Sequence, residues 1–149
     1  MSVITTELVD LDLTAGDRHA ATRALAERLA KSGRVSDLEG FLADVRAREA
    51  QMPTGIEGGI GIPHARSEHV TEPTLGFGRA PGGIDFGSED GPADLIFLIA
   101  APAGGGADHM TILAALARRL VHASFREALR EARDPQAVVD LITKEVLGQ

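Results

Sequence analysis

The stretch Asp94-Leu95-Ile96-Phe97-Leu98-Ile99-Ala100 carries no polar side chain after its first residue. A strand with one wet face alternates apolar and polar positions, whereas a strand covered on both faces has no reason to alternate. The run therefore predicts a central strand packed between two layers.

Upstream, ten of the 17 glycines lie between Gly55 and Gly91, interleaved with short β-like pieces at Ile60 to Ile62 and Leu75 to Arg79. Glycine at that density reads as tight turns and close backbone approach. Nearer the start the period changes. Leu8, Leu11 and Leu13 among acids predict a short strand. Ala20, Ala21, Ala24, Leu25 and Leu29 then repeat at helical spacing over about residues 16–32 and stop at Gly33. Ser36 with Glu39 reads as a capping box for a second helix, whose stripe is Leu38, Phe41, Leu42 and Val45 and which ends near Ala50, before Pro53.

Downstream of the central run, residues of about 108–122 place Leu113, Leu116, Ala117 and Leu120 on one helical face. Ser124 with Glu127 reads as a second capping box, for a helix through Ala132. Asp134-Pro135 opens the last helix, with Val138, Val139, Ile142 and Val146 inward and Gly148 at its exit. Helices at both ends with strands between them predict an α/β fold: a single domain over residues 1–149, with a mixed parallel/antiparallel sheet flanked by helices on both faces.

Composition narrows the chemistry. The 149 residues hold 15 Lys and Arg against 22 Asp and Glu, a formal charge of −7, which leaves no broad cationic footprint for nucleic acid. Trp and Tyr are absent and Phe numbers five, so stacking platforms are poorly supplied. The absence of cysteine excludes disulfides, thiolate metal sites and thiol catalysis, and fits a reducing compartment. The longest apolar run, Leu95 to Ala103, is far too short to span a membrane, and the first residues lack a signal peptide's order of basic then apolar. The chain reads as cytoplasmic, with no direct membrane insertion.

No Gly-x-Ser-x-Gly elbow, phosphate-binding Gly-Lys-Ser/Thr loop or His-Glu-x-x-His occurs, and Lys31 and Lys144 fall on predicted exposed helix faces. That leaves five histidines. His19 and His122 lie in helical stretches, and His69 in a Ser-Glu-His-Val turn. His64 ends the run Gly58-Gly59-Ile60-Gly61-Ile62-Pro63-His64, where a short strand delivers the ring to a loop and Pro63 stiffens the backbone entering it. His109 follows Asp108 at a helix start, past a strand and a glycine-rich loop, where free N–H groups favour an anion. Arg48, near the end of the second helix, reads on periodicity alone as surface charge matched to the helix dipole. A zinc site built from His64, His69 and His109 has no ligand rhythm to support it.

The block Arg48-Glu49, Pro53-Thr54-Gly55-Ile56 and Gly59-Ile60-Gly61-Ile62-Pro63-His64-Ala65 resembles the active-site region of the fructose/mannitol-type enzyme IIA family of the bacterial phosphotransferase system. The order continues through Asp94 to Pro102, the glycine-rich loop, His109 and the helix Leu113 to Leu120, so the likeness covers about Leu8 to Leu147. Gly61-Ile62-Pro63-His64-Ala65-Arg66-Ser67 is most similar to the fructose branch.

The resemblance implies that family's fold and a phosphohistidine carrier. His64 would take a phosphoryl group on Nε2 from the phosphocarrier HPr and pass it to a cysteine of a IIB domain. Its Nδ1 would donate to a backbone carbonyl. His109 and Arg48 would be donors to the phosphoryl oxygens, with Thr54 as a further hydroxyl donor, and no metal or other cofactor is implied. It also implies a shallow, exposed site, and that such a domain can form the amino-terminal part of a larger permease with IIB and IIC. Nitrogen-type regulatory IIA proteins, which act by phosphorylation-dependent protein binding, share the block and are the alternative. Two departures stand out: Gly61 replaces a common Ala, a small-for-small exchange, and the loop Ala103 to Asp108 is glycine-rich enough to predict mobility around His109.

Overall fold

The computed structural model describes residues 2–104 and 108–148, with 108–110 given by backbone alone. A single turn of 3-10 helix at Thr6–Leu8 leads into β1 (Val9–Asp10). Two helices follow, α1 (Arg18–Lys31) and α2 (Leu38–Gln51), then β2 (Gly55–Ile56), β3 (Ile60–Gly61), β4 (His64–Ser67), β5 (Thr74–Ile84) and β6 (Ala93–Pro102). The chain closes with α3 (Asp108–Leu120), α4 (Ala123–Glu131) and α5 (Pro135–Glu145).

The strands make one sheet in the order β1-β5-β6-β3-β2, and β4 pairs with β6 beyond β3 on the same edge. β6 runs antiparallel to β5 and parallel to β3 and β4, so the sheet is mixed, as the sequence predicts. The central run is central. Its alternate residues divide cleanly: Ile96, Leu98 and Ala100 pack with Leu25 and Leu29 of α1 and Phe41, Leu42 and Val45 of α2. Leu95, Phe97 and Ile99 pack with Leu116 and Leu120 of α3, Phe125 and Leu129 of α4 and Val138 and Ile142 of α5. Each strand residue faces opposite to its neighbour, and both directions are apolar.

The helix starts differ in detail from the sequence pattern. Asp37, not Ser36, caps α2, accepting from the Gly40 N–H. Glu39 does not close a box; it accepts two bonds from Arg23 of α1, at 2.8 and 2.9 Å. A carboxylate one residue on outcompetes the hydroxyl, and a guanidinium 16 residues away claims the glutamate. Similarly, His122 is the cap residue of α4, with no side-chain capping bond, and Ser124 lies inside the helix. Asp134 caps α5 as expected, accepting from Ala137 N–H. Ala117 is exposed although the α3 stripe placed it inward; Ile112 is the buried residue instead. Among the described residues no helix is long and apolar enough to cross a membrane.

At the far end of the sheet Arg130 of α4 donates to both carboxylate oxygens of Asp94, at 2.8 and 3.0 Å, and to the Gly58 carbonyl. This fork fastens the β2–β3 turn to the start of β6.

Candidate active site

His64 opens β4 rather than lying in a loop, and pairs in register with Ile99 of β6. The preceding residue explains how. Pro63 has no N–H to offer, and it falls in the gap between β3 and β4, where its carbonyl still accepts from Ile99 N–H at 3.0 Å. The sheet edge thus continues past a proline, and the histidine is the first residue after it.

The His64 ring is held by its own backbone: Nδ1 lies 2.7 Å from the Ile62 carbonyl oxygen. A carbonyl only accepts, so Nδ1 carries the proton and the neutral ring keeps its lone pair on Nε2. The residue is only 8% exposed, so the site is not the open, shallow one expected. Burial pushes the ring's pKa below its ordinary 6.5; the bond to Ile62 opposes this, the Arg48 charge adds to it and the Glu49 charge opposes it.

Arg48 stands in the last turn of α2, half-buried, and donates from Nη1 to the Met52 carbonyl at 2.9 Å, close enough to His64 to act on its charge state. Thr54 is buried, and its hydroxyl donates to Glu49 Oε1 at 2.6 Å while its N–H donates to Glu49 Oε2 at 2.9 Å. The hydroxyl's single proton is therefore directed at a carboxylate. His109 is the second residue of α3, the helix that covers the Ile99 face of the sheet. The His109 side chain, and residues 105–107 of the loop Ala103 to Asp108 for which mobility is predicted, lie outside the described residues.

The other histidines lie on other elements: His19 is in α1, His122 precedes α4, and His69 sits in a turn with Nδ1 3.9 Å from Asp37 Oδ2. Among the described residues no cluster of three His, Asp or Glu side chains is placed to hold a metal. A cleft of about 890 Å³ lined by Ile56, Glu57, Asp90, Leu120 and Val121 includes, among the described residues, none of Arg48, Thr54 and His64.

One participant escaped the sequence reading. Glu49, quoted there only as the neighbour of Arg48, is 8% exposed and accepts from Thr54 twice and from Arg18 Nη1 at 3.1 Å. A signal was present: Leu42, Val45 and Glu49 share one helical stripe, and a carboxylate on an apolar stripe needs buried donors. Gly61 also proves less neutral than a small-for-small exchange, since a methyl there would stand 2.6 Å from the Phe86 ring. In this chain Phe86 occupies the space.

Comparison with known proteins finds relatives along nearly the whole chain. A profile of the family described as "Phosphoenolpyruvate-dependent sugar phosphotransferase system, EIIA 2" matches residues 2–145. The chain is 41% identical to a fructose-specific EIIA component of Haloferax volcanii, covering 94% of this chain and 92% of that one. It is 33% identical to a fructose-specific EIIABC component of Bacillus subtilis, covering 95% of this chain but 22% of that protein. Among solved structures, the nitrogen regulatory protein IIA-Ntr of Neisseria meningitidis superposes with a TM-score of 0.87 at 25% identity, over 95% of this chain and 97% of that one. The Escherichia coli mannitol enzyme IIA, solved in complex with its phosphorylated IIB, superposes at 0.80 with 26% identity, over 98% of each chain. With the profile running nearly end to end and the mixed sheet of those structures reproduced here, the chain belongs to the EIIA 2 family of the sugar phosphotransferase system and is a phosphotransferase component that carries phosphoryl groups.

Proposed function

We propose that this protein is the IIA carrier of a fructose-type system and that His64 is its phosphoryl acceptor. The bond from Nδ1 to the Ile62 carbonyl carries the reading, because it presents an unprotonated Nε2 as nucleophile. Nε2 attacks the phosphorus of the phosphohistidine on HPr; the new P–N bond forms as the donor's P–N bond breaks, and the electron pair stays on the departing imidazole. A IIB cysteine thiolate then takes the group in a second displacement, returning the pair to Nε2. Such transfer needs in-line positioning and stabilised charge more than covalent help.

Arg48 and His109 serve as donors to the phosphoryl oxygens. Thr54 supports the site by holding Glu49; a direct bond from its hydroxyl to the phosphoryl group requires exchanging that partner. The depressed pKa keeps the ring neutral at cell pH, and the 8% of His64 left exposed is where docking proteins meet it. The domain works alone or as the amino-terminal part of a longer permease, the arrangement that the likeness to a IIABC protein supports.

The test is transfer from labelled phosphoenolpyruvate through enzyme I and HPr. Wild type acquires label and His64→Gln does not; equal labelling of the variant ends the assignment. A regulatory role of the nitrogen type is the second reading, favoured by the close superposition on IIA-Ntr. Restored fructose uptake in cells lacking their own IIA decides for the carrier, and its failure with labelling intact decides for the regulator.

A further inference from the structure

We infer that Glu49 is a positioning residue for the His64 imidazole, acting through Thr54 and Ile62. The inference rests on His64 being the acceptor only for its kinetic consequence, since the geometry stands without it. A carboxylate this deeply buried must have its acceptors filled. Two of the three donors facing Glu49 belong to one residue: Thr54 N–H at 2.9 Å and Thr54 Oγ1 at 2.6 Å. Together they fix both the backbone and the side-chain rotamer of Thr54. The third, Arg18 Nη1 at 3.1 Å, comes from the first turn of α1, and the same guanidinium's Nη2 lies 3.7 Å from Asp85 Oδ1.

The connection then runs to the ring. The Thr54 carbonyl accepts from Ile62 N–H at 3.2 Å, and the Ile62 carbonyl accepts from His64 Nδ1 at 2.7 Å. Four residues from α2, the link before β2, and the approach to β4 are thereby joined in one hydrogen-bonded path. Pro63 keeps its last step stiff. The path sets where the Ile62 carbonyl stands, and that carbonyl sets the ring's tautomer and orientation. Carboxylates that orient reacting or metal-bound imidazoles usually touch the ring; this one works at a distance of two residues.

The test reads the ring itself, in unphosphorylated protein. In wild type, the side-chain ¹⁵N shifts of His64 report a neutral ring protonated on Nδ1. Glu49→Gln keeps the shape but offers one acceptor oxygen to three donors. The shifts move toward mixed tautomers and the His64 pKa falls, because Glu49's charge and the Ile62 bond both raise it; Arg48 remains as the other charge acting on the ring. Phosphoryl acceptance slows on the order of tenfold, the scale of losing a partner that orients an imidazole. Thr54→Val, which keeps the Glu49 charge, reproduces the tautomer change and Thr54→Ser does not, and this pair decides the matter if Glu49→Gln does not fold. Unchanged ¹⁵N shifts and pKa in Glu49→Gln or Thr54→Val overturn the inference and leave Glu49 a structural ion-pair partner. The His64→Gln labelling result is a separate readout: it tests the acceptor assignment, whereas the ¹⁵N shifts are read on the intact His64 ring of unphosphorylated protein.

Discussion

From Ala93 to Ala101 every residue of β6 except Asp94 is buried, and beyond the Arg130–Asp94 fork at its start the strand packs on both helical layers through apolar side chains. From Arg48 to His64 the chain is bent, glycine-rich and only partly buried, and named hydrogen bonds hold it: Glu49 to Thr54, Thr54 to Ile62, Ile62 to His64. Burial is indifferent to direction, so it specifies a layer; hydrogen bonds are directional, so they specify the pose of a ring. The first region should answer to mutation in stability and the second in transfer.

Phe97→Ala makes the sharpest test of that division. The side chain is fully buried, with its ring centroid 5.1 Å from that of Phe77. Its loss should cost about 3–5 kcal/mol, read from denaturant unfolding. A cost under about 1 kcal/mol would remove β6 from its place as the stabilising centre.

Next in size, Arg48→Ala should slow phosphoryl acceptance about a hundredfold, the scale of removing one preorganised donor to a developing anion. Unfolding should stay cooperative, because the side chain is only half-buried. The same variant should raise the His64 pKa toward 6.5, since the Arg48 charge is one cause of its depression. In wild type the folded ring titrates below the unfolded one. The unfolded chain therefore binds the proton first, so the neutral ring's contribution to stability is fully present above about 6.5 and is lost as pH falls through the folded value. Acceptance should accordingly hold below pH 6.5 in wild type and weaken earlier in Arg48→Ala, as a pH–rate profile would show.

Gly61→Ala tests the seam between the two regions. With a methyl 2.6 Å from Phe86, it should cost about 1–3 kcal/mol. Phe86→Leu in the same chain should recover part of that, and additive costs would show that the two residues do not compete for space. The smallest effect concerns the start of α2: Asp37→Ala should cost about 1 kcal/mol and Ser36→Ala less, as compared by thermal melting. The reverse ranking would reinstate the capping box.

These contrasts also show what could be read in the residues beforehand. The apolar run of β6 announced a strand covered on both sides, and Asp134-Pro135 announced α5, because both signals are local. The α2 cap departs from the capping-box pattern because Arg23, on another helix, takes the glutamate that would close the box. β4 was invisible as a strand because a four-residue segment after proline acquires its pairing only from β6, 35 residues away from His64 to Ile99. At the site, the motif residues could be quoted from the sequence, but the path through Glu49 depends on distances between segments, and only the stripe of Leu42, Val45 and Glu49 hinted at it.

Pro63 gives the proposed carrier a mechanical advantage. Proline interrupts the ladder at a point where the neighbouring strand's Ile99 amide is already satisfied by the proline's own carbonyl, so the stiff step beside the histidine leaves that amide paired. In the proposed carrier the strand pairing beneath the buried ring therefore stays zipped on both sides of the proline.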